Sequence, residues 1–266
     1  MGQADTTRQT EHPGDVAALE RLAGRLRDAP GPVVALTGAG VSVASGVPDF
    51  RSDAGLWQRY DPLADASISA LRAHPERVWA LLWELDAIIA SAEPNPAHRA
   101  LAALEEGGAL AALLTQNPDG LHQRAGSDEV VELHGTAETL SCLACGRRLS
   151  RAEVTAAPPS VPRCSCGGVV RPDVTLFGEA LPPTALAAGE RWCDHAAVLL
   201  VIGTSVEVSP VADLPDRARR SGAEVWELNV RPAERLQPDQ RLLGRAEEVL
   251  PALAERVVGR TAPRSA

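Results

Sequence analysis

The segment GAGVSVASGVPDFRS, Gly38 to Ser52, follows directly on the apolar run Val33-Val34-Ala35-Leu36, so a buried strand empties into a glycine-rich loop. In an α/β protein that junction is where backbone amides at the start of the next helix meet the phosphates of a dinucleotide. Gly38 and Gly40 supply a tight turn and a close backbone approach, but Val43 stands where the G-x-G-x-x-G pattern has its third glycine. Two readings stay open on that pattern: a dinucleotide loop, and a strand, turn and helix with no ligand. The second half of the segment favours the loop. Pro48, Asp49, Phe50 and Arg51 set a proline, an acid, an aromatic ring and a guanidinium side by side, a combination that suits a loop able to fold over a ligand.

Outward from this loop, Val16 to Asp28 carries apolar residues at helical spacing and is stopped by Pro30-Gly31-Pro32. Three more runs have the length and flanks of buried strands: Ala109 to Leu114, Ala196 to Ile202 and Glu224 to Leu228. They end in Thr115-Gln116-Asn117, Gly203-Thr204-Ser205 and Asn229, and in a parallel sheet such polar tips share one edge, where ligands bind. The fold class is therefore α/β, a Rossmann-like parallel sheet with helices on both faces. Asp61 to Ala92 reads as mostly helical, and Ser141 to Pro172 is poor in apolar residues and rich in Pro, Gly and Arg. Both read as insertions forming a small zinc-binding and helical domain over the crevice. The expected organisation is an arm over 1–14, a large domain over 15–60, 95–140 and 173–258, a small domain over 61–94 and 141–172, and a loose end over 259–266.

Cys142 and Cys145, then Cys164 and Cys166 after eighteen residues, supply four soft ligands in two close pairs, as a tetrahedral zinc requires. The second pair has one intervening residue instead of two, which narrows its bite. With four thiolates no position is left for water, so the metal is structural; free thiols or a redox pair are the alternative. Cys193, alone before an apolar run, reads as a core thiol.

A chain of 266 residues with 45% hydrophobic content can bury a large core. Its net charge of -9 argues against a nucleic-acid surface. No apolar run approaches a membrane span and the N-terminus has no secretory pattern, so a cytoplasmic protein is expected, in keeping with clustered reduced cysteines. All 26 basic residues are Arg, which base composition explains.

Taken in order, GAGVSVASGVPDFRS, TQNPDGLH (Thr115 to His122), ELHG (Glu132 to Gly135), the two cysteine pairs, PDVTLFGE (Pro172 to Glu179), GTSVEVSP (Gly203 to Pro210) and LNV (Leu228 to Val230) closely resemble the sirtuin family. The resemblance runs from about Leu22 to Leu253. It implies an NAD-dependent protein-lysine deacylase with one structural zinc, in which an acylated-lysine protein or peptide and NAD meet between the two domains. The acyl oxygen attacks the anomeric carbon of the nicotinamide ribose, nicotinamide leaves, and the acyl group departs as an ADP-ribose ester. Carried onto this chain, the resemblance makes His134 the general base and Asn117 its catalytic neighbour. An imidazole suits that role at neutral pH. The cofactor residues it implies are Gly38, Ala39, Gly40, Asp49, Phe50, Arg51, Gln116, Asp119, Gly203, Thr204, Ser205 and Asn229, with Asp119 accepting from the carboxamide. Phe177, Gly178 and Glu179 on one side, and Glu207 and Val208 on the other, match strands that clamp a peptide. His98 and His122 fit capping or packing.

Two departures follow from the resemblance. Pro118 stands where family members carry Ile or Val, and removes an amide donor from the nicotinamide pocket. Leu82 and Leu85 stand where members that take acidic acyl groups place Tyr and Arg, so an aliphatic acyl group is expected. Mono-ADP-ribosyl transfer on the same scaffold, and a non-catalytic NAD or ADP-ribose module, stay open as alternatives. The oligomeric state is not legible.

Overall fold

The computed structural model describes residues 16–50, 52 and 55–259. The expected arm over 1–14, Arg51, and 260–266 of the C-terminal segment lie outside the described residues.

Helix α1 (Val16–Arg27) buries Ala18, Leu22, Ala23 and Leu26, a stripe at three- and four-residue spacing. The proline stop then delivers β1 (Val33–Thr37), all five residues of which are buried. It lies inside a six-stranded sheet with β2 (Ala112–Thr115), β3 (Val130–Glu132), β7 (Val198–Ile202), β8 (Glu224–Asn229) and β9 (Gln240–Leu243), in the order β3-β2-β1-β7-β8-β9. Every neighbouring pair is parallel. Residues alternate between the two faces with the two-residue period of a strand. Ala35, Leu113 and Leu200 pack under α1, α5 (Pro96–Glu106) and α9 (Ala246–Val258). Val34, Leu36, Leu114, Leu199 and Val201 pack with residues of α7 (Pro183–His195) and α8 (Leu214–Arg220). Because both faces are covered, the strands read as unbroken apolar runs. The chain winds outward in opposite directions from β1 and β7, which makes the gap between their tips the switch point where α/β sheets bind ligands.

The expected strand limits shift by a few residues. Ala109 and Leu110 belong to the close of α5, their amides donating to Leu104 O, so β2 begins only at Ala112. Ala196 caps α7, and β7 begins at Val198. A larger correction concerns the helix expected after Gly38. The loop instead forms two single 3-10 turns, Ala39–Val41 and Val43–Ser45, ended by Gly46 at φ 85°. There is no long helix dipole at this point.

The two insertions share one core. After the single turn α2 (Pro62–Asp65), helices α3 (Ile68–Ala73) and α4 (Pro75–Ser91) contribute Leu71, Val78 and Trp79. Strand β4 (Gly135–Cys142), antiparallel to both β5 (Arg148–Ser150) and β6 (Val170–Val174), contributes Leu140, and its two partners add Leu149 and Val170. Two indoles stitch the layers, Trp79 Nε1 donating to Val170 O and Trp83 Nε1 to Ser160 O, each at 2.9 Å. Arg151 pairs with Asp86 across the same seam. The small sheet extends beyond 141–172 on both sides, so β4 and β6 run out of the small body toward the tips of the large sheet.

Candidate active site

Between the two bodies lies a cleft of 1340 Å³. Its walls include Ala39, Gly40, Asp49, Phe50, Gln116, Asn117, His134, Phe177, Gly178, Glu179, Gly203, Thr204, Ser205, Glu207, Val208 and Asn229. The structure thus brings most of the expected site residues onto one surface. Gly38 and Asp119 stand behind that surface.

The glycines act differently from the sequence reading. A Cβ on Gly38 would lie 2.6 Å from Thr204 Cβ, and one on Gly40 would lie 2.8 Å from Gly203 O. Gly203, at φ 59°, would press a Cβ within 2.7 Å of Val41 N. The three glycines let the loops after β1 and β7 interlock, with Gly40 N donating to Gly203 O at 2.9 Å. Their close approach is protein on protein, and it fixes the floor of the cleft. Gln116 Nε2 reaches Thr204 Oγ1 at 2.9 Å, and Asn229 Nδ2 reaches Thr204 O at 3.1 Å, tying the strand tips together. Val206 then takes φ 48°, a left-handed conformation that costs a β-branched residue about 1–3 kcal/mol. Its burial and the bond from its amide to Thr204 Oγ1 hold it there, next to Glu207 and Val208.

His134 is half-buried at the start of β4. Its Nδ1 lies 2.9 Å from Gln116 O, and because a carbonyl only accepts, Nδ1 carries the proton and Nε2 is left as the basic nitrogen. Burial lowers its pKa below the ordinary value, against the raising effect of the Gln116 bond. The ring is therefore neutral at pH 7. Thr175 N donates to His134 O at 2.8 Å, so the backbone is pinned as well as the ring.

Behind the floor lies a buried polar network centred on Ser42, which lies inside the glycine-rich segment but is given no role by the sequence reading. Ser42 Oγ donates to Asp119 Oδ2 at 2.7 Å, accepts from Asn117 Nδ2 at 3.2 Å and lies 3.4 Å from His98 Nε2. Asn117 Nδ2 also reaches Gly38 O at 3.0 Å. His98 Nδ1 accepts from Asn95 N in a capping box at the head of α5, which leaves the ring proton on Nε2, pointed at Ser42. Burial pushes His98 down to about 4 and His122 well below its ordinary value, and raises the Asp119 carboxyl. His122, on the single turn α6 (Leu121–Arg124), sets Nε2 3.1 Å from Thr37 Oγ1. His98 and His122 are capping and packing groups, as expected.

The residues expected to clamp a peptide all line the cleft, with part of their backbone already engaged within the protein. Phe177 N donates to Ala66 O and Phe177 O accepts from Ile68 N, both at 3.0 Å, so its backbone is committed to the α2–α3 connection. Glu179 N closes a turn onto Leu176 O, and its carboxylate is held by Arg171. Neither 177–179 nor 207–208 forms a strand. The Phe177 ring instead meets Trp57 edge-on at 5.8 Å, and Trp57 stacks on Phe50 at 5.2 Å, so an aromatic row links the loop after β1 to the opposite wall.

The four cysteines converge, their Sγ atoms all lying within 4.8 Å of one another. Cys142 and Cys166 are 3.6 Å apart, and Cys145 and Cys164 3.9 Å. A tetrahedron of roughly 2.3 Å Zn–S bonds has edges of about 3.8 Å, so the donor set fits zinc. The narrow second pair closes because Gly167 turns at φ 83° and Gly168 leaves room, a Cβ there lying 2.6 Å from Cys142 Sγ. Backbone amides of Cys145 and Cys166 hold the Cys142 and Cys164 thiols down, Cys164 to about 6. Cys193 is fully buried, and burial pushes its thiol up to about 12, in keeping with a core role.

A nucleotide-sized cleft at a sheet switch point, a half-buried histidine held on its wall by a backbone carbonyl and a closed four-thiolate site together define a Rossmann-like enzyme with a structural metal module. Residues 38–210 match the Sir2 family. The chain is 45% identical over 229 residues to an NAD-dependent protein deacetylase of Pyrobaculum aerophilum, covering 85% of this chain and 90% of that protein. It is similar to the crystal structure of a Sir2 homologue in complex with NAD, with a TM-score of 0.83, 38% identity, and 94% and 96% of the two chains covered. A Sir2 homologue mutant in complex with 2'-O-acetyl ADP ribose gives a TM-score of 0.83 at 40% identity, covering 90% of this chain and 96% of that one. The chain belongs to the Sir2 family.

Proposed function

We infer that the chain is an NAD-dependent protein-lysine deacylase, releasing nicotinamide and an O-acyl-ADP-ribose. The observation that carries this reading is the His134 ring on the wall of the cleft, its Nδ1 held by Gln116 O at 2.9 Å, with Nε2 left to accept a ribose proton. Ala39, Gly40, Gly203, Thr204, Ser205 and Asn229 hold the cofactor along the strand tips, and Phe50 shields its reactive ribose. Asp49 and Arg51 complete that loop. Asn117 and Gln116 position the nicotinamide ribose, and Asp119 acts from behind through Ser42. Cys142, Cys145, Cys164 and Cys166 hold one structural zinc. No helix among the described residues is long and apolar enough to cross a membrane. Reduced, metal-binding thiols suit a cytoplasmic setting. Incubating the protein with an acetyl-lysine peptide and NAD tests the reading: nicotinamide and O-acetyl-ADP-ribose are the expected products. Absence of nicotinamide release overturns turnover of any kind, and ADP-ribose transferred to protein with the acetyl group retained identifies a transferase.

The acyl group lies against α4. Leu81, Leu82 and Leu85 line the cleft together with Leu176, Phe177, Leu181 and Leu186, and among the described lining residues the one guanidinium is Arg231, beyond the end of β8. A succinyl carboxylate would be buried there without a partner, at a cost of several kcal/mol. Matched acetyl and long-chain acyl peptides are therefore expected to turn over at least about a hundredfold faster than the succinyl peptide. Equal kcat/KM for acetyl and succinyl peptides overturns the assignment of this wall.

Pro118 also lines the cleft, its carbonyl accepting from Ala137 N at 3.1 Å. Proline offers no amide to a carboxamide, so Pro118→Ile is expected to tighten inhibition by free nicotinamide about fivefold, the worth of one hydrogen bond near 1 kcal/mol. Identical inhibition constants overturn it.

A further inference from the structure

Arg171 sits on β6 of the small sheet, 8% exposed and absent from the cleft wall. Its Nη1 alone reaches both carboxylate oxygens of Glu179, at 2.6 and 2.7 Å, while Nε donates to Pro172 O and Nη2 to Val174 O. Glu179 Oε2 accepts in turn from Leu176 N at 2.9 Å. One guanidinium fork therefore closes the segment from Val174 to Glu179 into a ring, and all six residues of that segment line the cleft. Within the ring, Thr175 holds His134 O and Phe177 is paired with Ala66 and Ile68. The rest of the segment is irregular, so side-chain bonds, not a sheet ladder, set its shape.

We propose that Arg171 and Glu179 form a positioning pair for the acyl-peptide wall, with Glu179 acting on the substrate only through Arg171. This rests on the deacylase reading and names how its substrate wall is held. A carboxylate engaged bidentately and bonded to a backbone amide has little left to offer a peptide. Lysine keeps the charge of Arg171 and can offer one nitrogen to Glu179, but it has no second and third nitrogen for Pro172 O and Val174 O, so the ring is left open.

Arg171→Lys separates this reading from direct contact, because Glu179 stays intact and loses only its fork. With wild-type turnover of acetyl peptide established first, Arg171→Lys is expected to raise the peptide KM about tenfold and lower kcat less than about threefold. The Kd for NAD, measured by calorimetry, and the zinc content are expected to stay within about twofold of wild type. Glu179→Gln raises the peptide KM similarly, and the double variant is no worse than either single change, since both break one unit. The proposal is overturned if Arg171→Lys leaves the peptide KM within about twofold of wild type, or if the two effects add. Should Glu179→Gln fail to fold, the Arg171→Lys result alone decides. A wild-type protein that never turns over acyl peptide overturns the deacylase reading instead.

Discussion

His134→Ala is expected to lower acyl-peptide turnover by about two to four orders of magnitude, the range that a positioned general base contributes. The Kd for NAD is expected to change little, since the strand tips that hold the nucleotide are tied to one another through Gln116, Thr204 and Asn229 and not through the ring. His134→Gln, with an amide able to donate to Gln116 O but no basic nitrogen, is expected to lose nearly as much. That comparison separates the loss of a base from the loss of a bond. The pH profile gives a second check. Burial holds His134 below its ordinary value, so its basic form predominates at neutral pH and is lost as pH falls through the lowered pKa. The acid limb of kcat/KM should therefore lie below about pH 6.5 in the wild type and vanish in both variants. A limb above about pH 7, or wild-type turnover in His134→Gln, would falsify the assignment.

The parts of this site that are legible in the sequence are those where local chemistry and position coincide. Buried strands with both faces covered read as apolar runs, and the polar residues at their ends mark Gln116, Asn117, Gly203 to Ser205 and Asn229 as neighbours on one edge. Val130–Glu132 escapes such a reading, being three residues long, and so does the edge strand Gln240–Leu243 with its exposed Gln240 and half-buried Arg241. The helix expected after Gly38 fails for a local reason: Gly46 turns left-handed and Val47 N returns to Ser42 O, so the chain reverses before a second helical turn can form. Ser42, inside the glycine-rich segment, and Arg171, just before Pro172, are not singled out by sequence because their importance comes from partners elsewhere along the chain. Ser42 meets Asp119, 77 residues on, and Arg171 matters through the loop it closes. Glu179 lies on the cleft wall, yet its carboxylate is already engaged by Arg171. A motif marks position, and only contacts tell which atoms remain free.

Removing the zinc is expected to cost more than any single substitution in the cleft. The small body rests on a short apolar list, with Leu71, Val78, Trp79, Leu140, Leu149, Val170 and Leu176 packed around Cys142 and Cys164. A core of that size is marginal alone, and a four-thiolate zinc adds on the order of 10 kcal/mol of folding free energy. Cys145→Ser opens the tetrahedron at its exposed corner, so metal content should fall from one zinc per chain toward zero. The near-ultraviolet signal of Trp79 and Trp83 should weaken as their bonds to Val170 O and Ser160 O are lost. The consequence reaches the cleft through α4, which carries those indoles and also sets Leu82 and Leu85 on the cleft lining. Acyl-peptide turnover should therefore drop at least about a hundredfold, while NAD affinity, resting on the tips of the large sheet, falls less than about fivefold. Chelation of the wild type should reproduce the pattern, and added zinc should restore it in the wild type but not in Cys145→Ser. A zinc-free protein with intact indole signals and undiminished turnover would show that the small body folds on its apolar core alone, and that the metal does not hold α4 over the cleft.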